Sequence, residues 1–372
     1  MSRSPRATTL AVALAVVVVA FQALLVPLFA GPAAGIAPRD LPLAVAGPEP
    51  AATQLADQLR AARPGAFDLR VVPDADAAIR AREVYGAIVL GADGPALHIA
   101  SAAGPTVAAL LTQATAELGR SAETTAGLGR GTEAPAELGR GTEAPAELGR
   151  GAQATAGLGR GAPMPVVDVV PTDPDDPRGA AFGAGFLPLA ITGLLAGVLT
   201  FLLVKRRAAR FVALGTFAVL AGLAGAVVQQ AWLGVLPGDY LAVAAVLGLF
   251  ALAVSATVAG LAAVLDRAGL AIGALIVFLV GNALSGVNSA AELLPQPWGA
   301  VGQALPIGAG STLLRSVAYF DGNGAGSALT VLCAYAIGGL VLVAAGRRGL
   351  TRPTGEVATE GPGPERTPAL VG

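Results

Sequence analysis

Six apolar runs alternate with short polar islands along the 372-residue chain. They lie at residues 10–29, 182–204, 211–232, 241–265, 270–290 and 328–345. A helix rises 1.5 Å per residue, so about 20 apolar residues cross a hydrocarbon core about 30 Å thick. None of the runs carries a charge at its centre, where insertion scales charge at least about 2.5 kcal/mol for one. The pattern therefore predicts a polytopic α-helical membrane protein with about six transmembrane helices.

The basic residues then set an orientation. Arg3 and Arg6 precede the first run; Lys205, Arg206, Arg207 and Arg210 join the second to the third; Arg267 joins the fourth to the fifth; Arg347, Arg348 and Arg352 follow the sixth. Of the short connections on the other side, 234–240 holds no basic residue and 292–327 holds only Arg315. Lys and Arg concentrate in cytoplasmic loops, so both termini are expected inside the plasma membrane. A cleaved signal peptide is the alternative for the first run, although that run exceeds the usual apolar stretch of about 7–15 residues.

Between the first two runs the pattern shortens. Residues 41–46, 67–72, 84–90 and 96–100 read as strands. Residues 50–63 and 75–82 read as helices, the second capped by Asp74. Pro105 suits the first turn of a last helix, which Gly119 is expected to stop. This order predicts a small extracytoplasmic α/β domain over residues 40–119 with a partly parallel sheet.

From 120 to 181 a tether and linker are expected. A ten-residue unit recurs there, and GTEAPAELGR at 131–140 and 141–150 is repeated without change. Ten residues at 100° each leave an offset of about 80°, so its leucines form no stripe. Glycine and proline break every unit, which favours a flexible tether; arginine contact with anionic envelope polymers is the alternative. Residues 166–179, with Asp168, Asp173, Asp175 and Asp176, read as a solvated linker, their spacing not being that of a calcium loop. The five-helix membrane domain occupies 182–346, with an outer hairpin at 292–326, and a disordered cytoplasmic tail 347–372.

Composition narrows the functions. Hydrophobic residues make up 54% and charged residues 13% of the chain, the net charge is −1, and the mean hydropathy is +0.67. Soluble domains carry about 25% charge. No basic stripe favours nucleic acid. The lone Cys333 leaves no partner for an intrachain disulfide. The lone lysine, Lys205, follows an apolar run and not the glycine-rich turn of a P-loop, so ATP hydrolysis of that kind would need a separate chain.

Candidate chemistry is sparse. In the 40–119 region only Ser101, His98 and the acids Asp68, Asp74, Asp76 and Glu83 could act, and no nucleophile motif accompanies them. No enzyme, cofactor or metal site is expected. In the fifth run Asn282, Ser285 and Ser289 recur at helical spacing with Asn288 close by. Such a polar face must turn to other helices or to water, so it serves either helix packing or a translocation path. Gly193 and Gly197, and Gly222 and Gly225, point to close helix packing. The hairpin residues Trp298 and Tyr319 favour the membrane interface, and one or two short helices are expected to lie in, or dip into, the outer leaflet.

Several segments in order resemble the ABC-2-type transporter permeases, and within them the Pip/YhgE-like family: LPLAVA at 41–46, VYGAIV at 84–89, DPRG at 176–179, LPQPW at 294–298, LPIG at 305–308, then Leu314, Arg315, Tyr319 and Phe320. The decapeptide repeat stands where such relatives often have a longer helical outer region. The resemblance implies a permease subunit that pairs with a second copy and with cytoplasmic ATPase chains to export an amphiphile or envelope component. Lys205, Arg206, Arg207 and Arg210 are the candidate ATPase contact, although anchoring at the membrane surface also explains their charge. The other reading is a non-transporting envelope receptor, scaffold or secretion accessory that uses the α/β domain to hold a partner.

Overall fold

The computed structural model describes residues 35–130 and 164–346, together with four isolated helical positions, 16, 19, 23 and 28; side chains are described outside 118–130. Most of the first expected span, most of the repeat and the tail after 346 lie outside the described residues.

The sheet forms where short β-branched and apolar runs alternate with turn residues. Strands β1 (Leu41–Ala46), β2 (Phe67–Val71), β3 (Gly86–Gly91), β4 (Gly94–Ile99) and β5 (Val166–Asp168) lie in the order β2-β1-β3-β4-β5. β1 runs parallel to β2 and β3, β3 and β4 form an antiparallel hairpin, and β5 runs parallel to β4. Helices α1 (Ala51–Ala62) and α3 (Pro105–Arg130) cover one face, and α2 (Ala75–Arg80) the other. Asp74 caps α2, accepting from the Ala77 amide at 3.0 Å.

Two expectations change here. Residues 166–168 are a strand and not a linker: the Leu97 amide donates to the Pro165 carbonyl, and the Val169 amide to that of Ile99, both at 2.8 Å. The open edge of β4 offers unpaired backbone groups, and Val166 and Val167 suit a strand there. α3 also passes through Gly119 as far as Arg130. An interior glycine costs a helix only about 1 kcal/mol relative to alanine, and the next proline is Pro135.

Among the described residues five helices are long and apolar enough to span a bilayer: α4 (Ala180–Leu203), α5 (Arg207–Trp232), α6 (Tyr240–Leu265), α7 (Arg267–Leu284) and α10 (Gly326–Ala345). The chain is thus a multi-pass helical membrane protein. α6 is the axis of the bundle, with 67% of its apolar window buried against 22% to 28% in the others. Lipid tails are as apolar as leucine, so helices there associate through close packing. The sequence's small residues supply it. A Cβ at Gly193 would stand 2.9 Å from Val254, and one at Gly197 2.6 Å from the Ser255 carbonyl oxygen. At Gly222 it would collide with the Ala244 carbonyl oxygen.

α5 and α7 each contain a π-helical stretch, Val227–Trp232 and Leu275–Val280. α7 ends at Leu284, six residues before the expected boundary, because Gly286 takes a φ of +62° that closes a helix.

The hairpin between α7 and α10 forms a 3₁₀ turn (Ala291–Leu293), α8 (Trp298–Gln303) and α9 (Pro306–Tyr319). α9 does not lie on a surface: Ile307, Ala309, Leu313 and Leu314 are buried in the bundle core. Its Gly310 abuts Phe250, ten residues along α6 and thus roughly 15 Å below its start. The hairpin also completes the α/β domain. Ala290 and Leu293 join the core beneath α1 and α3, and Phe320 joins the core beneath α2.

Candidate functional site

The two halves meet at a cavity of about 270 Å³, walled on one side by Arg82, Glu83 and Tyr85 and on the other by Ser289, Glu292, Gln303, Thr312 and Arg315. The turn after α2 aims Arg82 at it. Arg82 has a φ of +61°, a left-handed conformation uncommon for a residue with a side chain. Its Nη1 donates to the Thr312 carbonyl at 2.8 Å and to the Ser316 hydroxyl, and its guanidinium lies 5.5 Å from the centroid of Phe320. Tyr85, just before β3, donates its hydroxyl proton to Glu292 at 2.8 Å.

Arg315 approaches from α9 and is only 5% exposed. Its Nη2 donates to the Val287 carbonyl at 2.6 Å, and its guanidinium stacks 4.6 Å from the Phe182 centroid. Phe182 is held at the start of α4 by the buried Asp176, whose two carboxylate oxygens accept from the amides of Ala180 and Phe182 at 2.8 and 2.9 Å. Burial, and then the positive field of Arg82, bring the Arg315 pKa down to about 10, so it stays charged at neutral pH. Burial raises the Tyr85 hydroxyl well above its ordinary range, and the Glu292 carboxylate adds to that.

Supporting bonds fix the walls. Thr312 donates to Gln303 Oε1 at 2.7 Å, and Gln303 Nε2 donates to the Ser285 carbonyl at 3.2 Å. Arg39 Nη1 donates to the Leu293 carbonyl at 2.9 Å, and Thr106 to the Asn288 carbonyl at 2.7 Å. Asn323 Nδ2 donates to the Arg80 carbonyl at 3.2 Å. The α/β domain is thereby fastened to the hairpin at several separate points.

The expected polar face divides differently. With α7 ending at Leu284, Ser289 leaves that helix and lines the cavity. Ser285 is buried and closes the helix end, donating to the Asn282 carbonyl at 3.1 Å and accepting from the Val287 amide at 3.3 Å. Asn288 is exposed and lies against Gly183. Asn282, Ser285, Asn288 and Ser289 therefore do not form one continuous helical stripe.

The basic loop lies at the other end of the bundle from the α/β domain, as the up-and-down order of α4 to α7 requires. Arg207 donates to the Gly346 carbonyl at the end of α10. Arg210 donates to the carbonyls of Val204 and Phe201 at 2.8 and 3.3 Å, closing α4. Lys205 and Arg206 are exposed. In the α/β domain His98 meets Asp76 at 2.6 Å, whereas Ser101 accepts from the Thr172 amide at 2.9 Å, so serine and imidazole have separate partners.

Among the junction residues, Arg315 had a legible signal as the lone basic residue of the connection 292–327, a charge within apolar surroundings being a pointer to function. Arg82, Tyr85 and Glu292 look like ordinary surface residues until the fold brings them together. Comparison with protein-family models, with curated proteins and with solved structures finds no match in any of the three.

Proposed function

We propose that the chain is the membrane subunit of an ABC-2-type permease-like exporter, working in the plasma membrane with a separate cytoplasmic ATPase and a second copy of itself, and moving an amphiphile or envelope component. The observation that carries this reading is α9: a helix too short to span, buried among spans, carrying a charged arginine to a cavity. Broken helical segments at membrane depth are tolerated where protein buries them or where they line a cavity, and transporter sites use such interruptions. By the positive-inside rule, the end bearing Lys205, Arg206, Arg207, Arg210 and Arg267 faces the cytoplasm and the α/β domain faces outward. Arg207 and Arg210 tie helix ends together, which leaves Lys205 and Arg206 to meet an ATPase. A helix shift started at that end would reach the α/β domain through α9 and its bonds to Arg82.

A second reading, a non-transporting envelope receptor or scaffold, draws on an apolar hollow of about 340 Å³ in the α/β domain, lined by Leu43, Leu59, Phe67, Leu69, Leu97 and Leu111 among others.

The deciding experiment is capture of the tagged chain in mild detergent, with identification of copurifying chains and an ATP hydrolysis assay. The exporter reading expects a stoichiometric P-loop ATPase with stimulated turnover, weakened when Lys205 and Arg206 are both replaced by Glu. Reproducible capture without an ATPase, and with an envelope or secretion protein instead, overturns it in favour of the second reading.

A further inference from the structure

Two guanidinium groups line the junction cavity, one carried by the α/β domain and one by α9, each supported on a phenylalanine ring. Arg82 rests on Phe320, and Arg315 on Phe182. Each uses a single nitrogen for its hydrogen bonds, Nη1 in Arg82 and Nη2 in Arg315. An arginine carries five N–H donors in a planar fork, so most of the donor capacity of both groups is unused by the described residues.

The charge balance points the same way. Among the described residues no carboxylate lies within 4.0 Å of either guanidinium. Glu292 lines the same cavity but accepts from Tyr85, and Glu83 stands exposed at its rim. Isolated buried charge is costly in a folded protein and is normally matched by an opposite charge or by full hydrogen bonding. Arg315 is 5% exposed with one hydrogen bond. Glu292 alone faces these two positive groups across the cavity, its field favouring the charged form of Arg82, and their spare donors suit a further anion.

Its chemistry follows from the donors. One guanidinium fork saturates the two oxygens of a carboxylate. Two forks lining one cavity suit a group that offers three or more oxygens. The cavity, about 270 Å³, admits such a headgroup but not a macromolecule. We propose that this cavity binds a phosphate group, held between Arg82 and Arg315, with Gln303, Thr312 and Ser289 as polar walls. The phosphate belongs either to a free soluble ester or ion, or to the head of a lipid entering where the α/β domain meets the bundle. The site does not depend on the exporter reading, since a receptor would bind the same group.

The test uses the full chain purified in neutral detergent. Inorganic phosphate is titrated by calorimetry, with acetate and chloride as controls, and the chain is separately reconstituted in nanodiscs of phosphatidylcholine with or without phosphatidylglycerol. Four proteins are compared: the natural chain, R315Q, R82Q, and K205Q at the far end of the bundle. Saturable phosphate binding, at least tenfold weaker in R315Q and R82Q and unchanged in K205Q, supports a soluble phosphate. Selective retention of phosphatidylglycerol through delipidation, lost in the same two variants, supports a lipid head. R82Q, at the half-buried side of the cavity, keeps the test open if R315Q does not fold. Binding of neither probe, acetate binding as tightly as phosphate, or equal binding in all four proteins overturns the proposal.

Discussion

Arg82 donates through Nη1 to the carbonyl oxygen of Thr312 at 2.8 Å, joining a turn of the α/β domain to a helix 230 residues later in the chain. The same nitrogen reaches the Ser316 hydroxyl. Thr312 and Ser316 stand one helical turn apart on α9, so the arginine grips a single face of it. Hydrogen bonds involving a charged group contribute about 1.5–3 kcal/mol each. Replacing Arg82 by Ala is expected to loosen the domain from α9 without unfolding the spans. Hydrogen exchange should then quicken in residues 75–91 and 291–319 and stay unchanged in α6. Unaltered exchange in the first two segments would mean that the latch does not hold them.

The Tyr85 and Glu292 pair makes a prediction in pH. Tyr85 is held protonated in the folded chain above its ordinary value of 10.0 by burial and by Glu292, and burial pushes Tyr319 up to about 12. A tyrosine whose folded pKa is raised contributes stability that is fully present below pH 10 and is lost as the pH climbs towards the folded value. Replacing Tyr85 by Phe removes the bond to Glu292, at about 1.5–3 kcal/mol near neutrality. The stability gap between the natural chain and Y85F should be constant from pH 7 to 9 and narrow above about pH 10. Thermal unfolding in detergent across that range measures it, and a gap independent of pH would refute the assignment. Arg315 works in the opposite sense, its lowered pKa relieving a cost of burial as pH rises, which is why the comparison is made between two chains that share it.

Gly222 and Gly215 lie on the same helix and predict opposite outcomes. A Cβ at Gly222 meets the Ala244 carbonyl and the backbone of Gly248, whereas one at Gly215 meets nothing within 4 Å. Overpacking of a tight contact costs about 1–3 kcal/mol, and an alanine in a helix gains about 1 kcal/mol over glycine. Gly222→Ala should therefore lower the unfolding midpoint in detergent, and Gly215→Ala should leave it unchanged or raise it. Equal behaviour of the two variants would show that α5 and α6 are not held by that contact.

Much of the membrane part and of the sheet was legible in the sequence because both rest on local periodicity. A run such as 241–265 can be little but a span, and Asp74 before an alternating apolar segment reads as a cap. The misses share a different cause. Val166–Asp168 is too short to announce itself, and becomes a strand only because β4 presents an open edge. The spacing places Ser289 on a helical face, but Gly286, at a φ of +62°, ends the helix beforehand; the Ser285–Gly286 pair is the local signal for that end, set within an apolar run that favours continuation. The junction was the least visible feature. Arg82 and Thr312, or Tyr85 and Glu292, are related only by the fold, and no spacing along the chain encodes them.

The return of the chain to β4 as β5 has a consequence for the repeat. α3 leaves the α/β domain just after β4, and Val166 rejoins the same strand from beyond the repeat. Whatever lies between departs from and comes back to one framework. For a flexible tether, as the composition of the repeat predicts, the closure entropy grows only with the logarithm of its length, and gain or loss of one decapeptide alters it by about 0.3 kcal/mol. A tether of that kind would leave copy number nearly invisible to folding. A gene carrying identical tandem units can lengthen or shorten by replication slippage, and natural variants that differ by whole decapeptides would inherit the same sheet, the same junction and the same bundle.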